Sequence, residues 1–583
     1  MDVMTKAAPR IITRISSSLC RAFGGEMPRG ELSYISAMRN EPISFQLSYR
    51  SDYEKADGEK IPDLPISVSA VCDGLDISAY KVGYLPLDAS LCDDGRKGGG
   101  CCPDLLYRRS AAPEVVRGDD RMIYYEAGER NLLNVSCVST GSVWFTVNER
   151  GVPLEPGDYD IRVTVTQLYT GETVAEHTVT LHVVDALLPE NELIYSNWIH
   201  FDCLCDRYGV EIGSDAFFEI LEAYLKNAVL HGMTALLIPA FTPALDTVVG
   251  GERMNVQLVR VEEREGEYFF DLSRLERLMR LADACGIRYF EHCHLFSQWG
   301  ADRAINIYAE ADGETRRIFS AADRADGEAY SKFIGRYLRE YIALCDRLGI
   351  SSERLLFHVS DEPKGEHEEA YRRAYATVRK AIGDRVICDA LSDYSFYENR
   401  LVDLPIVSTS SADSFDGRCD RLMLYYTAGS EDIRLSNRTI TASPSRARVL
   451  GVHLYRYRSL GFLHWGYNNY YGRMSLGEFD PATEPTGYRN MYGASFLIYP
   501  GFDRRPIPSV REKQMRDAIS DCLALRLLES YIGYEATLAL CEEVLGEPIG
   551  IRTQPQSESA LLELRLRVNR EIEKHADRAR MEA

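Results

Sequence analysis

The sequence has no CxxC pair among its fifteen cysteines, no apolar run long enough to cross a bilayer and no surplus of positive charge. Each absence excludes something. The cysteines are odd in number and scattered from Cys20 to Cys541, so neither a zinc ribbon nor a disulfide framework is expected, and reduced thiols suit a cytosol. A spanning helix needs about 20 consecutive apolar residues, so no membrane partner is expected. The 67 Lys and Arg are outnumbered by 88 Asp and Glu, for a net charge of −21. Such a surface repels phosphate backbones and excludes nucleic acid as a partner. The first 23 residues carry Lys6, Arg10, Arg14 and Arg21 without a secretory apolar core. The protein is therefore expected to be cytoplasmic, with residues 1–30 a poorly ordered leader. There is no serine nucleophile elbow and no dinucleotide fingerprint. Gly98-Gly99-Gly100 lacks the Lys-Ser/Thr of a phosphate cradle and reads as a loop.

What is present divides into domains, because 583 residues exceed one core. Residues 31–188 alternate apolar and polar positions in short runs such as 142–148, 160–167 and 178–184. Turn signals at Pro156-Gly157-Asp158 and Thr170-Gly171-Glu172 separate them. This predicts an N-terminal β-sandwich. From about 189 to 535 short apolar strands alternate with helical stretches. Eight strands are expected at 193–201, 234–239, 287–295, 355–360, 386–391, 405–409, 422–426 and 461–467. The clearest helices are 217–230, 272–284, 330–348 and 367–382. The fold class is α/β, a (β/α)₈ TIM-like barrel, with a doubly wound open sheet as the alternative. The helix between the fifth and sixth strands is short or missing. Residues 509–528 read as an amphipathic helix that closes the barrel, and 536–583 as a helical tail, its charged face either solvated or docked.

The chemistry concentrates where the fourth strand should end, at His358-Val359-Ser360-Asp361-Glu362-Pro363. Catalytic groups of a barrel come from the C-terminal ends of its strands, and Pro363 stops the ladder there. Adjacent carboxylates repel, so one can hold a proton while the other stays ionised. A pair that flanks a sugar from opposite sides needs about 5 Å or more between its members, which sequence neighbours satisfy poorly. They suit a route in which the 2-acetamido group of the sugar is the nucleophile. The bland alternative is that both acids cap the following helix. Around the same mouth, Trp465, Tyr467 and Asn468 after the eighth strand, and Tyr425 and Tyr426 after the seventh, are candidates to stack on a sugar and bond its hydroxyls. His292 and His294 on the third strand share a spacing used by metallohydrolases, with His358 and Asp389 as further ligands, so a metal-dependent hydrolase is an alternative. Asp389 and Asp393 are candidates for sugar hydroxyls; Asp246 and Asp271 are weaker ones.

Several segments together make the chain resemble the family-123 glycoside hydrolases. They are Asn40-Glu41-Pro42-Ile43-Ser44-Phe45-Gln46, Trp144 with Pro156-Gly157-Asp158-Tyr159, Phe241-Thr242-Pro243, Gly251-Glu252-Arg253 and His294 with Gln298-Trp299-Gly300. Ser-Asp-Glu-Pro at 360–363, Ser436-Asn437-Arg438, 461–468 and Tyr499-Pro500-Gly501 complete the set. The resemblance runs from about residue 31 to 533. It implies a β-sandwich before a catalytic barrel, no cofactor and no metal. It also implies a retaining β-N-acetylgalactosaminidase working through an oxazoline. Carried over, Glu362 is the general acid/base and Asp361 the acetamide orienter. Tyr426, Trp465, Tyr467, His294, Trp299, Asn468, His358 and Asp389 surround a small glycan or oligosaccharide substrate. Two departures concern the substrate: Gly493-Ala494-Ser495 lacks an expected acid, and Thr427-Ala428-Gly429 lacks an expected Cys and Gln. A non-catalytic carbohydrate-binding barrel is the remaining alternative.

Overall fold

The computed structural model describes residues 10–23, 26–53, 64–88, 92–93, 99–109, 115–117, 123–125, 133–243, 245–247, 251–427, 432–488 and 491–582. The N-terminal part is two five-stranded sheets. One runs Ile11–Ser17, Ile43–Ser51, Gly141–Val147, Ile77–Asp88 and Gly99–Arg109 in spatial order. The other runs Tyr34–Met38, Thr173–Val184, Gly157–Gln167, Pro65–Val71 and Leu133–Asn134. Alternation places Ile161, Val163 and Val165 inward, with Arg162 and Thr164 between them. These residues join Phe45, Leu47, Val143, Phe145, Val179 and Leu181 in one buried cluster fed by both sheets.

Two expectations are corrected here. Ile11–Ser17 is not part of a leader. It pairs antiparallel with Ile43–Ser51, and Ile15 and Leu19 are buried. The Arg/Ser-rich composition hid an alternation of only seven residues. Residues 1–9 of the expected leader lie outside the described residues. Gly99 and Gly100 likewise open an edge strand rather than a loop.

The second part closes into a barrel of eight parallel strands. They are β1 Ile194–Asn197, β2 Ala235–Ile238, β3 Tyr289–His292, β4 Leu355–Phe357, β5 Val386–Leu391, β6 Leu404–Ser408, β7 Met423–Tyr425 and β8 Gly461–His464. All eight lie where the sequence pattern places them. β1 pairs with both β2 and β8, so the doubly wound alternative is excluded. Helices α1 Asp215–Leu230, α2 Ser273–Cys285, α3 Glu328–Arg347 and α4 Glu368–Ile382 surround the first half. Between β5 and β6 the helix is the four residues Ser395–Glu398. Long connections after β2 and β3 build a four-stranded sheet, Glu267–Asp271, Arg260–Arg264, Ile307–Ala311 and Glu314–Phe319, which the sequence pattern did not announce.

Helix α5, Val510–Ile532, differs from expectation in kind. It is buried all round through residue 525, charged residues included, because it is wedged between the barrel and the N-terminal sheets. Lys513 pairs with Glu149, Arg511 with Asp104, and Ser18 donates to Asp517. After α6, Tyr534–Leu545, comes α7, Glu558–Glu582. α7 docks through Leu561, Leu564, Val568 and Ile572, with Arg565 bridging Glu41 and Asp521.

Candidate active site

Parallel closure puts the C-terminal ends of all eight strands at one mouth, and the candidate residues collect there. β4 ends at Phe357, earlier than expected, so residues 358–363 form a loop at the rim. Asp361 and Glu362 are both partly exposed on it. Glu362 sits at φ 45°, a left-handed backbone immediately before Pro363. For a non-glycine residue this costs about 1–3 kcal/mol. Among the described residues, half of the non-glycine positions at positive φ belong to this mouth: Asp246, Trp299, Ala301, Glu362, Met474 and Ser475. Hydrogen bonds tie their segments together. The Trp299 N–H donates to the Asp361 carbonyl at 2.9 Å, Met474 N–H to Asp246 at 3.0 Å and the Gln298 side chain to the Thr247 carbonyl at 2.9 Å. Strain is concentrated where side chains must be aimed.

Burial pushes the Asp361 carboxyl well above the ordinary aspartate range, and the neighbouring charges of Glu362, Asp389 and Asp246 add to it; His358 pulls the other way. No side chain among the described residues donates a hydrogen bond to that carboxyl. Glu362 instead accepts a 2.6 Å bond from the Tyr425 hydroxyl at the end of β7.

Behind the pair lies a buried polar row. The Trp198 indole donates to Glu291 at 3.0 Å, His358 stands 3.3 Å from Glu291 and 3.1 Å from Asp389, and the Tyr371 hydroxyl donates to Asp389 at 2.5 Å. Burial would strip His358 of its proton, but Cys388, Asp389 and Glu291 override it and raise the imidazole well above its ordinary value. Burial also raises Asp389, against the opposing pull of His358 and its donors. His294 packs against His358 with ring centroids 4.6 Å apart, and neither of its ring nitrogens has a hydrogen-bond partner among the described residues. Burial and the charge of His358 hold it well below the ordinary imidazole value, so it is neutral.

Where strands stop, expected neighbours part. Glu291 faces the lumen and His292 faces out to the Tyr337 hydroxyl on α3 at 2.8 Å; β3 ends at His292, so the alternation does not carry on to His294 and the two histidines do not share a site. His294, His358 and Asp389 do converge closely enough to suggest a metal. Both nitrogens of His358 already face carboxylates and Asp389 already accepts four donors, so few lone pairs are left for an ion.

Tyr425 faces the site, whereas Tyr426 points outward to Met515 on α5. The Tyr467 hydroxyl is spent on Glu512 and Asn227, again at α5, and Asn468 locks the backbone of His200 through both its side-chain atoms. Asp389 is fully buried and presents no free carboxylate to a sugar, while Asp393 spends one oxygen on the Ser395 N–H. Asp271 caps α2. Trp465 is at the mouth: its ring packs on Tyr488 at 5.0 Å, and the Tyr488 hydroxyl donates to Asp246, the same carboxylate that acts on Asp361. Trp299 is 36% exposed.

Sequence reasoning passed over Trp198, His200, Asp202 and Tyr488, and it assigned no such role to Glu291, Tyr425 or Arg253, the last of which joins His200 and Asp202 in a buried set under Trp465. Glu291 was readable from strand parity; the rest depend on loops meeting across the mouth.

No curated protein matches the sequence. Among solved structures, a family 123 glycoside hydrolase from Clostridium perfringens aligns over 98% of this chain and 99% of its own, with 13% identity and a TM-score of 0.68. A Bacteroides uniformis beta-glucuronidase (10% identity, 85% of this chain and 48% of that one, TM-score 0.28) aligns too loosely to bear on the fold. So does a family 39 glycoside hydrolase from Bacteroides cellulosilyticus WH2 (9% identity, 70% and 76%, TM-score 0.30). Residues 198–528 match the family described as glycoside hydrolase 123, catalytic domain. That match takes in β2 to β8, the Asp361-Glu362 rim and most of α5, more than half of the sequence, and the chain belongs to glycoside hydrolase family 123.

Proposed function

We propose that this glycoside hydrolase is a retaining β-N-acetylhexosaminidase. It releases β-linked N-acetylgalactosamine, or a related N-acetylhexosamine, from a small glycan, with the sugar's own acetamide as nucleophile. One observation carries the reading. Asp361 is a crowded carboxyl with no side-chain donor among the described residues, directly beside a Glu362 that Tyr425 holds in place. An acetamide N–H is the donor Asp361 lacks. Bonded to it, Asp361 aims the acetamide oxygen at the anomeric carbon, and the cation that builds on the ring favours its ionised form. Glu362 protonates the leaving glycosidic oxygen as the anomeric bond breaks and the oxazoline bond forms. It then takes a proton from the water that opens the oxazoline, and two inversions give retention.

Trp465 and Trp299 supply aromatic faces for the sugar and neutral His294 a partner for a hydroxyl. We leave Tyr426, Tyr467, Asn468 and Asp389 out of the substrate contacts, since their polar atoms are already engaged. The C. perfringens structure was analysed for glycolipid glycan hydrolysis, which is the kind of glycan we extend to this chain. We read the two N-terminal sheets as a β-sandwich supporting the barrel. A cytoplasmic setting fits fifteen cysteines none of which is in a disulfide; no described helix is long and apolar enough to cross a membrane.

The test is hydrolysis of an aryl β-N-acetylgalactosaminide and its inhibition by the corresponding thiazoline, for wild type and Glu362→Gln. Wild type should turn over and be inhibited, and the variant should hydrolyse an aryl glycoside with a poor leaving group on the order of 10³-fold more slowly. Cleavage of glycosides with a free 2-hydroxyl, without action on 2-acetamido sugars, would reject the assisted mechanism. Glycan binding without turnover, equal in both proteins, would make this a binding barrel.

A further inference from the structure

We propose that Asp389 is a positioning residue. It holds the backbone at Val359 and Ser360 so that the Asp361 carboxyl is presented to the acetamide, and His358 and Glu291 stand behind it as its electrostatic support. This rests on the functional reading above.

β4 stops at Phe357, so the N–H groups of Val359 and Ser360 have left the barrel ladder while remaining buried. A buried N–H must find another acceptor. Asp389, reaching across from β5, supplies it: Val359 donates to its two oxygens at 3.2 and 3.1 Å, and Ser360 donates to Oδ2 at 3.2 Å. From the opposite side the Ser360 hydroxyl donates to the Ser297 carbonyl at 2.9 Å and Trp299 N–H to the Asp361 carbonyl at 2.9 Å. The two peptides that lead into Asp361 are thus gripped by β5 on one side and by the loop after β3 on the other. This is how a side chain on a short irregular loop acquires a fixed direction.

A carboxylate is required in that place. An amide has one oxygen for two N–H groups, the Tyr371 hydroxyl and the imidazole, and its own NH₂ would face donors. The charge so buried needs a counter-charge. His358 provides it, wedged between Asp389 and Glu291, and the Trp198 indole anchors the far end of the row. Asp389 has 0% exposure and no lone pair directed at the mouth, so it acts through Asp361 and does not touch the sugar.

The experiment is a double-mutant cycle read by affinity for N-acetylgalactosamine-thiazoline, on Asp361→Asn, Asp389→Asn and the double variant. Asp389→Asn is expected to bind on the order of 10²-fold more weakly than wild type, the loss typical of a misplaced reacting group. In the Asp361→Asn background it should add almost nothing, because both changes remove the same interaction. Losses that multiply would show Asp389 to be a general support of the fold and overturn the inference. Wild type that fails to bind the thiazoline at all overturns the functional reading and this inference with it. Should Asp389→Asn not fold, Tyr371→Phe decides. It loosens Asp389 by one hydroxyl, and a loss of a few-fold that disappears in the Asp361→Asn background supports the inference. No change in affinity overturns it.

Discussion

The barrel mouth and the seam around α5 both bury ionisable groups, and they treat them in opposite ways. Along the seam many charges meet their opposites, Lys513 with Glu149, Arg511 with Asp104, Arg448 with Asp521 and Arg565 with Glu41, although the Arg516 guanidinium has no hydrogen-bond partner among the described residues. Burial disfavours an ionised Glu149, yet Lys513 overrides it and holds the carboxyl below the usual range. At the mouth, the groups that act most on Asp361 include three carboxylates, Glu362, Asp389 and Asp246, against the single imidazole of His358. Paired burial fixes how two domains sit. A surplus of one sign, combined with left-handed backbone at Glu362 and Trp299, stores unfavourable energy where a substrate can relieve it.

The contrast can be broken by mutation, and the largest effect should come at the mouth. Glu362→Gln is expected to lower kcat for a glycoside with a poor leaving group by on the order of 10³-fold, and much less for an activated aryl leaving group that needs no proton. Steady-state rates on the two substrates check this. At the seam, Lys513→Met leaves Glu149 buried without its partner and should cost about 3–5 kcal/mol in denaturant unfolding. The folded fraction should keep its KM. Equal loss of stability from both substitutions would erase the distinction between the regions. Tyr425→Phe removes the 2.6 Å bond to Glu362 and should lower kcat about tenfold, equivalent to about 1.4 kcal/mol, with thermal stability little changed.

The smallest effect is the most diagnostic. Asp361 has its folded-state pKa raised, so above the ordinary aspartate range the unfolded chain releases the proton first. Its contribution to stability is therefore full at low pH and is lost as pH rises from that range through the raised value. Asp361→Asn should be more stable than wild type by about 1 kcal/mol at neutral pH while losing activity, and the gain should vanish in acid. Melting curves at several pH values test the sign. If Asp361 ionises to hold the acetamide as proposed, the activity of wild type should show an acid limb displaced upward from an ordinary aspartate.

All eight barrel strands could be read in advance because each is a short apolar run buried on both faces and bounded by a helix or a turn. Their ends could not. β3 and β4 stop at His292 and Phe357, several residues before the apolar pattern does, since the closing barrel leaves no ladder partner there. The Asp361-Glu362 pair was legible as adjacent acids before a proline at a strand end. The pocket walls were less so. Tyr425 and Tyr426 are chemically identical neighbours, and only strand parity decides that the first meets Glu362 and the second Met515. Tyr467 and Asn468 looked like sugar contacts by composition, yet one bonds α5 and the other locks the backbone of His200. Helix α5 misled for a related reason: expected to be amphipathic, it is buried on every side through residue 525, its charged residues included.

The amino-acid pattern by itself determined the order of the barrel's strands and its two neighbouring acids, because periodicity and turn chemistry act over a few residues. The tertiary structure decided which polar atoms remain unspent. That depends on groups brought together from β3, β4, β5 and β7, where a hydrogen bond made in one place is a hydrogen bond withheld from the ligand.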